Sequence, residues 1–343
     1  MGIFYILLTF SFTVLFFINV VWAGINFYFW SLNGIQFLLE GMNFAESVYG
    51  SIFLKWILLL DIGWLIIAGL FLFARRNYKT DQKLNYLEYL PIKNPKISMV
   101  LVAFNEELAI GNVVKDFLKQ KNVEEVIVVD NHSSDNTVEI ATRCGAKVIQ
   151  KSENKGVSDS IFLGFKKSLE SDCNIIAITE SDGTHNAYDL ERMTKYLDNC
   201  DQVVGTRQIQ VLCEKENQNG ILHVWGNMFL AKLIQLKYVS LQHMGIVELT
   251  DVGCMYRCFR KDALEKIMNE IEHVVKKQQS KEKKQFFSPI VLLLTLISIE
   301  NNLKIVELPV TFKKRIGHSK SQADNKIKAI KYGLRFIWLI LTK

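Results

Sequence analysis

Apolar residues fall along this chain in two different rhythms. Residues 1–39 carry no Asp, Glu, Lys or Arg, and a second apolar stretch, 56–74, is broken only by Asp61 and ends at Arg75-Arg76. A bilayer-spanning helix needs about 20 apolar residues, so this rhythm predicts two transmembrane helices, at about 3–25 and 54–74. Beyond residue 95 the rhythm changes to short apolar runs at 97–103, 125–129, 146–149, 174–179 and 201–204. Between them lie stretches of helical periodicity at 106–119, 135–144, 157–169 and 187–198. Strands alternating with helices of this length predict an α/β domain with a mostly parallel, Rossmann-like sheet and right-handed crossovers. A further helix at 287–299 and a late strand at 303–310 complete it.

Charge orients the predicted hairpin. Arg75, Arg76 and Lys79 follow the second apolar stretch, and Glu40 and Glu46 lie between the two. The positive-inside rule then predicts a multi-pass integral membrane protein whose α/β domain is cytoplasmic. A signal peptide, the competing reading of the first stretch, calls for a basic n-region and a shorter apolar core. Asp61 is costly inside a bilayer; the residues leave open whether it serves function, a helix contact or a headgroup. The net charge of +6 is modest, with no basic-aromatic pattern of a nucleic-acid groove. Six scattered cysteines without CxxC spacing predict neither a zinc site nor a disulfide framework.

The chemistry is concentrated where strands end. In a parallel sheet the carboxyl ends of the first, second and fourth strands share one edge, which would gather Asn105, Glu106, Asp130, Asn131, Glu180 and Asp182. The acid-x-acid pair Glu180-Ser-Asp182 offers hard oxygen ligands suited to Mg²⁺ or Mn²⁺, cations commonly shared with substrate phosphates. By itself the pair is equally a helix cap or a solvated turn. Neither GxGxxG nor GxxxxGK[ST] occurs.

Taken in order, the landmarks resemble glycosyltransferase family 2, whose domain is called GT-A. Val102-Ala-Phe-Asn-Glu-Glu107 is similar to that family's Pro-Ala-Tyr-Asn-Glu-Glu. Val126-Ile-Val-Val-Asp-Asn-His-Ser-Ser-Asp-Asn-Thr137 resembles the second motif, and Asn154-Lys-Gly156 a third. Glu180-Ser-Asp182 stands where the family places Asp-x-Asp. Val204-Gly-Thr-Arg207, Thr250-Asp-Val-Gly-Cys-Met-Tyr-Arg257 and Arg315-Ile-Gly-His-Ser-Lys320 follow. The last resembles the Arg-x-Gly-Glu-Ser-Lys ending of dolichyl- and polyprenyl-phosphate sugar synthases. The departures are Val102 for proline, Phe104 for tyrosine, a longer acid at Glu180 and His318 for glutamate. The resemblance covers about 95–320 and implies an inverting glycosyltransferase, with Asp130 reading the base and ribose of a nucleotide sugar of UDP or GDP type.

On that resemblance the donor site would comprise Ala103, Phe104, Glu106, Asp130, Lys155, Ser181 and Arg207. Asp182 with Glu180 would hold the metal, and Arg257, Arg315 and Lys320 the acceptor phosphate; each cation is equally a solvated surface charge. Asp251 is assigned to catalysis with Asp182, as a base or a group positioning the acceptor, against capping of its own turn. His185 and His132 stay outside the catalytic set; His185 is expected to pack or cap a helix. The polar stretch 276–284 reads as a mobile loop or a solvated insertion. The basic, apolar-faced 326–343 reads as a helix lying on membrane lipids, against docking onto the domain. The chain thus divides into a hairpin at 1–80, a transferase domain at 95–320 and a membrane-associated helix at 321–343. The expected reaction moves a sugar to a polyprenyl or dolichyl phosphate. Its rivals are a hydroxyl acceptor on a lipid-linked glycan and a catalytically silent scaffold.

Overall fold

The computed structural model describes residues 2–40, 52–74, 89–208, 212–215, 217, 220–238, 247–281, 289–317 and 326–343. The two apolar stretches form helices α1 (Gly2–Glu40) and α2 (Ile52–Ala74). Then come β1 (Ile97–Ala103), α3 (Ile110–Leu118), β2 (Val123–Asp130), α4 (Thr137–Arg143), β3 (Lys147–Gln150), α5 (Val157–Leu169), β4 (Ile175–Glu180), α6 (Asp189–Lys195) and β5 (Gln202–Thr206). The chain continues through α7 (Ile221–Lys237), β6 (Arg257–Arg260), α8 (Lys261–Lys281), α9 (Ile290–Glu300), β7 (Ile305–Pro309) and α10 (Lys326–Thr342).

The seven strands form one sheet in the order β3-β2-β1-β4-β6-β5-β7. All neighbours pair in parallel except β6, which runs antiparallel to both β4 and β5. The α/β class with a mostly parallel sheet is therefore found. Its central strands are largely apolar through their middles because both faces are covered. Met99, Leu101, Val126 and Val128 face α3 and α6 through Ile110, Val114, Phe117, Leu190 and Met193. Val100, Ile127, Val129, Ile176 and Ile178 face α5, α8 and α9 through Ile161, Phe165, Ile267, Ile271 and Ile297. Each such side chain contributes about 1.5–3 kcal/mol on burial. Gly164 of α5 lets that helix lie against β1, since a Cβ there would overlap Val100 Cγ1.

Three expectations change. Residues 276–281, read as loop, belong to α8, because Lys, Gln and Glu are good helix formers whatever their polarity; 282–284 lie outside the described residues. Strand β6 and helix α7 had no counterpart in the hydrophobic rhythm. The first apolar helix also runs on to Glu40.

The two N-terminal helices form one compact unit; the sheet and its helices form another. Within the first, Asn19 Nδ2 donates to Asp61 Oδ1 at 3.0 Å, and Phe12 packs on Trp64 with ring centroids 4.8 Å apart. Asp61 thus makes a helix–helix contact. Among the described residues no helix is long and apolar enough to cross a membrane.

Candidate active site

Four loops leave the carboxyl ends of β1–β4 at one rim, and each turns through a left-handed residue: Asn105 (φ 54°), His132 (φ 67°), Gly156 (φ 85°) and Gly183 (φ 79°). At Gly183 a Cβ would also stand 2.9 Å from Ile316 Cδ1, so glycine is required both by conformation and by the close approach of the 313–316 segment. That segment is bonded to the acidic loop: Lys313 N donates to Thr184 O at 2.7 Å and Ile316 N to Asp182 O at 3.0 Å. Arg315 is thereby delivered to the rim from far along the chain.

The loops after β1 and β2 are laced together. Asn105 N donates to Ser133 Oγ (2.8 Å), Ser134 N to Asn105 Oδ1 (2.8 Å) and Glu106 N to Thr137 Oγ1 (2.8 Å). Asp130, fully buried at the end of β2, accepts from Ser133 N at 3.0 Å and from Ser133 Oγ. Ala103 O accepts from Asn131 N at 2.8 Å, and Ser181 Oγ donates back to Val102 O at 2.7 Å. Ala103 and Ser181 are therefore scaffold at the rim. Phe104 is half-buried beside them.

The charged centre lies at the ends of β4 and β5. Arg315 bridges two carboxylates, with Nη2 to Glu106 Oε1 at 2.6 Å and Nη1 to Asp182 Oδ2 at 2.9 Å. The other oxygen of Asp182 accepts from Thr184 N and Oγ1 at 3.0 and 2.6 Å. Glu180 lies close enough for burial and the neighbouring Asp182 charge to push its carboxyl up to about 7, despite opposing Arg207 and Arg315. Arg207, directly after β5, grips Asp251 in a fork: Nε to Oδ2 at 2.8 Å and Nη2 to Oδ1 at 3.0 Å. Burial opposes charge on both, but the pairing dominates: the Arg207 pKa is raised and the Asp251 pKa lowered. Arg207 also lies 5.3 Å from the Phe312 ring centroid.

Several expectations are refined here. Asp251 has both oxygens engaged by Arg207 and accepts from Gly253 N at 2.9 Å. It is the counter-ion of Arg207 and the cap of its own turn, an arrangement unsuited to a general base. Arg257 is corrected outright as a group open to ligand: it is fully buried, donating to Cys254 O at 3.1 Å and Val291 O at 3.0 Å. Burial pushes it down to about 10. Lys155 is exposed and pairs with Glu153 at 3.2 Å. Lys320 and His318 lie outside the described residues. His185 is buried between Tyr256 and Phe312, with Nδ1 2.9 Å from Thr179 Oγ1. Burial pushes it down to about 4, so it is a neutral core residue, as the packing alternative required.

Two residues of the site escaped the sequence reading. Lys151, just beyond β3 and buried, reaches Asn131 Oδ1 and Asp159 Oδ2, each at 2.7 Å. Asn131 in turn donates to Asn154 Oδ1 at 2.7 Å, so Lys151 ties the second and third loops to the start of α5. Its signal was a lone lysine closing an apolar strand. Glu307, a single carboxylate inside apolar β7, is the other.

Among the described residues no cluster of three or more His, Cys, Asp or Glu side chains could hold a metal ion. Glu180 and Asp182 would fit a Mg²⁺ or Mn²⁺ that keeps waters and takes its remaining oxygens from a substrate phosphate, since such ions need only one or two carboxylates; Arg315 would have to yield Asp182 Oδ2 to it. Burial and, after it, the Asp182 charge raise the Glu180 carboxyl, and a cation would offset both.

Residues 98–268 match the model of glycosyl transferase family 2. An uncharacterized protein of Methanocaldococcus jannaschii is 30% identical over 183 residues, 53% of this chain and 71% of that one. A UDP-N-acetylglucosamine–dolichyl-phosphate N-acetylglucosaminyltransferase of Methanococcus voltae is 29% identical over 194 residues, covering 51% and 72%. A polyprenol monophosphomannose synthase of Mycolicibacterium smegmatis is 25% identical over 224 residues, covering 61% and 76%. With its ordered rim of acids and arginines, the chain belongs to glycosyl transferase family 2.

Proposed function

We propose that this glycosyltransferase moves a sugar, with inversion, from a nucleotide-sugar donor of UDP or GDP type to a polyprenyl or dolichyl phosphate. The observation that carries this reading is the convergence of Glu106, Glu180, Asp182, Arg207 and Arg315 at one strand-end rim. Two relatives of different sugar name share a lipid-phosphate acceptor in that name, which supports the acceptor class and leaves the sugar open.

Asp130 and the laced loops after β1 and β2 would hold the nucleoside, while Asp182 and Glu180 would hold a divalent cation against its diphosphate. Bound there, the cation would neutralise charge on the departing diphosphate. Arg315 and Arg207 suit the remaining phosphate oxygens, because guanidinium presents paired donors to them. An oxygen of the lipid phosphate bonds to the anomeric carbon as the bond to the diphosphate breaks. The electron pair leaves on the nucleoside diphosphate. A phosphate, with a second pKa of about 6, arrives already ionised and needs no base, which agrees with Asp251 being committed to Arg207. A hydroxyl acceptor would need one.

Membrane association is part of the proposal. On α7, Trp225, Met228, Phe229 and Leu236 stand exposed on one face with Lys232 among them, as do Leu334 and Trp338 on α10. Lys237 Nζ donates to Ile340 O at 2.8 Å, so the two helices adjoin. Exposed tryptophan beside lysine and arginine suits a lipid headgroup layer. The strongly apolar α1 and α2 would anchor the chain, with the site on the cytoplasmic face as Arg75, Arg76 and Lys79 direct.

The test is transfer from labelled nucleotide sugars to polyprenyl phosphate in detergent or vesicles. An organic-extractable, acid-labile, metal-requiring product is expected, and Asp182→Ala should lower its rate by about 10²-fold or more while leaving the fold intact. An acid-stable product on a glycan hydroxyl would replace the acceptor. No transfer and no nucleotide binding across a donor panel would leave a silent scaffold.

A further inference from the structure

Glu307 lies at the middle of β7, half-buried, opposite Val204 of β5 in parallel register. Its carboxylate reaches across to the turn that precedes β6. Oε1 accepts from Thr250 N at 3.0 Å and Asp251 N at 2.9 Å, and Oε2 accepts from Thr250 N and Thr250 Oγ1, both at 2.8 Å. Thr250 Oγ1 is also 2.9 Å from Thr206 Oγ1, next to Arg207. One carboxylate thus fixes the backbone of the residue whose own side chain grips Arg207.

The room for that grip is equally specific. A Cβ on Gly253 would stand 2.9 Å from Arg207 Nη2 and 3.5 Å from Asp251 Oδ1, so the guanidinium lies directly over the turn that Glu307 holds. Burial raises the Glu307 carboxyl in spite of its donors.

From this chain of contacts we infer that Glu307 is a positioning residue for transfer: through Thr250 and Asp251 it sets the guanidinium of Arg207 toward a substrate phosphate. The inference rests on the reading of Arg207 as a phosphate-holding group. Glu307 itself touches no substrate.

A double-mutant cycle on the full-length protein in detergent, with a nucleotide sugar and polyprenyl phosphate, decides it. Wild type, Glu307→Ala, Arg207→Gln and the double variant are compared for kcat and for the KM of each substrate. Glu307→Ala is expected to lower kcat/KM by about tenfold or more, as supporting residues of this kind do, in the same parameter that Arg207→Gln changes. In the Arg207→Gln background the Glu307→Ala loss should nearly vanish, because the two act in series. A full, additive loss in that background would make Glu307 merely structural and overturn the inference. So would wild-type kinetics for Glu307→Ala where Arg207→Gln is impaired. Should Glu307→Ala fail to fold, the near-isosteric Glu307→Gln is put through the same cycle and judged by the same coupling. If Arg207→Gln leaves every parameter unchanged, the reading of Arg207 falls first, and the two failures are told apart.

Discussion

On the β1–β2 side of the rim, carboxylates other than Glu106 are answered by hydroxyls and backbone amides: Asp130 by Ser133, Asp135 by Thr137 and Glu107 N, Glu107 by Asn136. On the β4–β5 side they are answered by arginines, Asp251 by Arg207 and Asp182 by Arg315. Asp130 and Ser133 are three residues apart, whereas Arg207 and Asp251 are separated by 44 and Arg315 and Glu106 by 209. One half is built within its own loops, and the other only when distant segments have met. A rim made this way has one side that forms between neighbouring loops and another that depends on the whole sheet.

Removing an arginine's partner is the most severe way to break the contrast. Asp251→Ala should destabilise the fold by about 3–5 kcal/mol in chemical denaturation, because it strands Arg207 in a mostly buried place. A loss no larger than that of a surface substitution would mean the ion pair is not what holds this half.

Acid acts on the same side through His185. Its imidazole is held down to about 4 in the fold against an ordinary value near 6.5, so the unfolded chain binds more protons. The stability it contributes is fully present above pH 6.5 and fades as pH falls toward 4, by on the order of 2–3 kcal/mol. Melting curves at pH 7 and pH 5 should therefore separate in wild type and draw together in His185→Gln. Equal separation in both would locate the acid sensitivity elsewhere.

The smallest effect belongs to the hydroxyl-capped half. Ser133→Ala removes the hydroxyl's bonds to Asp130 Oδ1 and Asn105 N and should cost about 1–2 kcal/mol, with a raised KM for the nucleotide sugar and little change in kcat. A fall in kcat with unchanged KM would place Asp130 among the reacting groups.

The same division decided what the sequence could reveal. The strand at 97–103 and the helix at 157–169 emerged with the bounds they have in the fold, and the acids and asparagines after the first, second and fourth strands were legible from strand-end position alone. α7 was not, since Trp225, Met228 and Phe229 on its outer face erase the apolar-polar contrast that marks a surface helix. β6 is four residues with arginine at both ends and carries no strand rhythm. Arg257 read as a phosphate ligand because a motif records residue type, not direction; only the fold shows its guanidinium turned inward onto Cys254 O and Val291 O. Arg207 with Asp251, and Glu307 behind them, are pairings between remote segments that no local pattern encodes.

The reversed strand β6 has an effect on how this architecture can vary. Because β6 begins at the rim while its six companions end there, the long excursion between β5 and β6 leaves and returns on the same side of the sheet. Its two ends are fixed by the Arg207–Asp251 pair, so length can change between them without shifting any other strand. Such a detour is a natural place for related enzymes to diverge in what they accept while keeping a common engine.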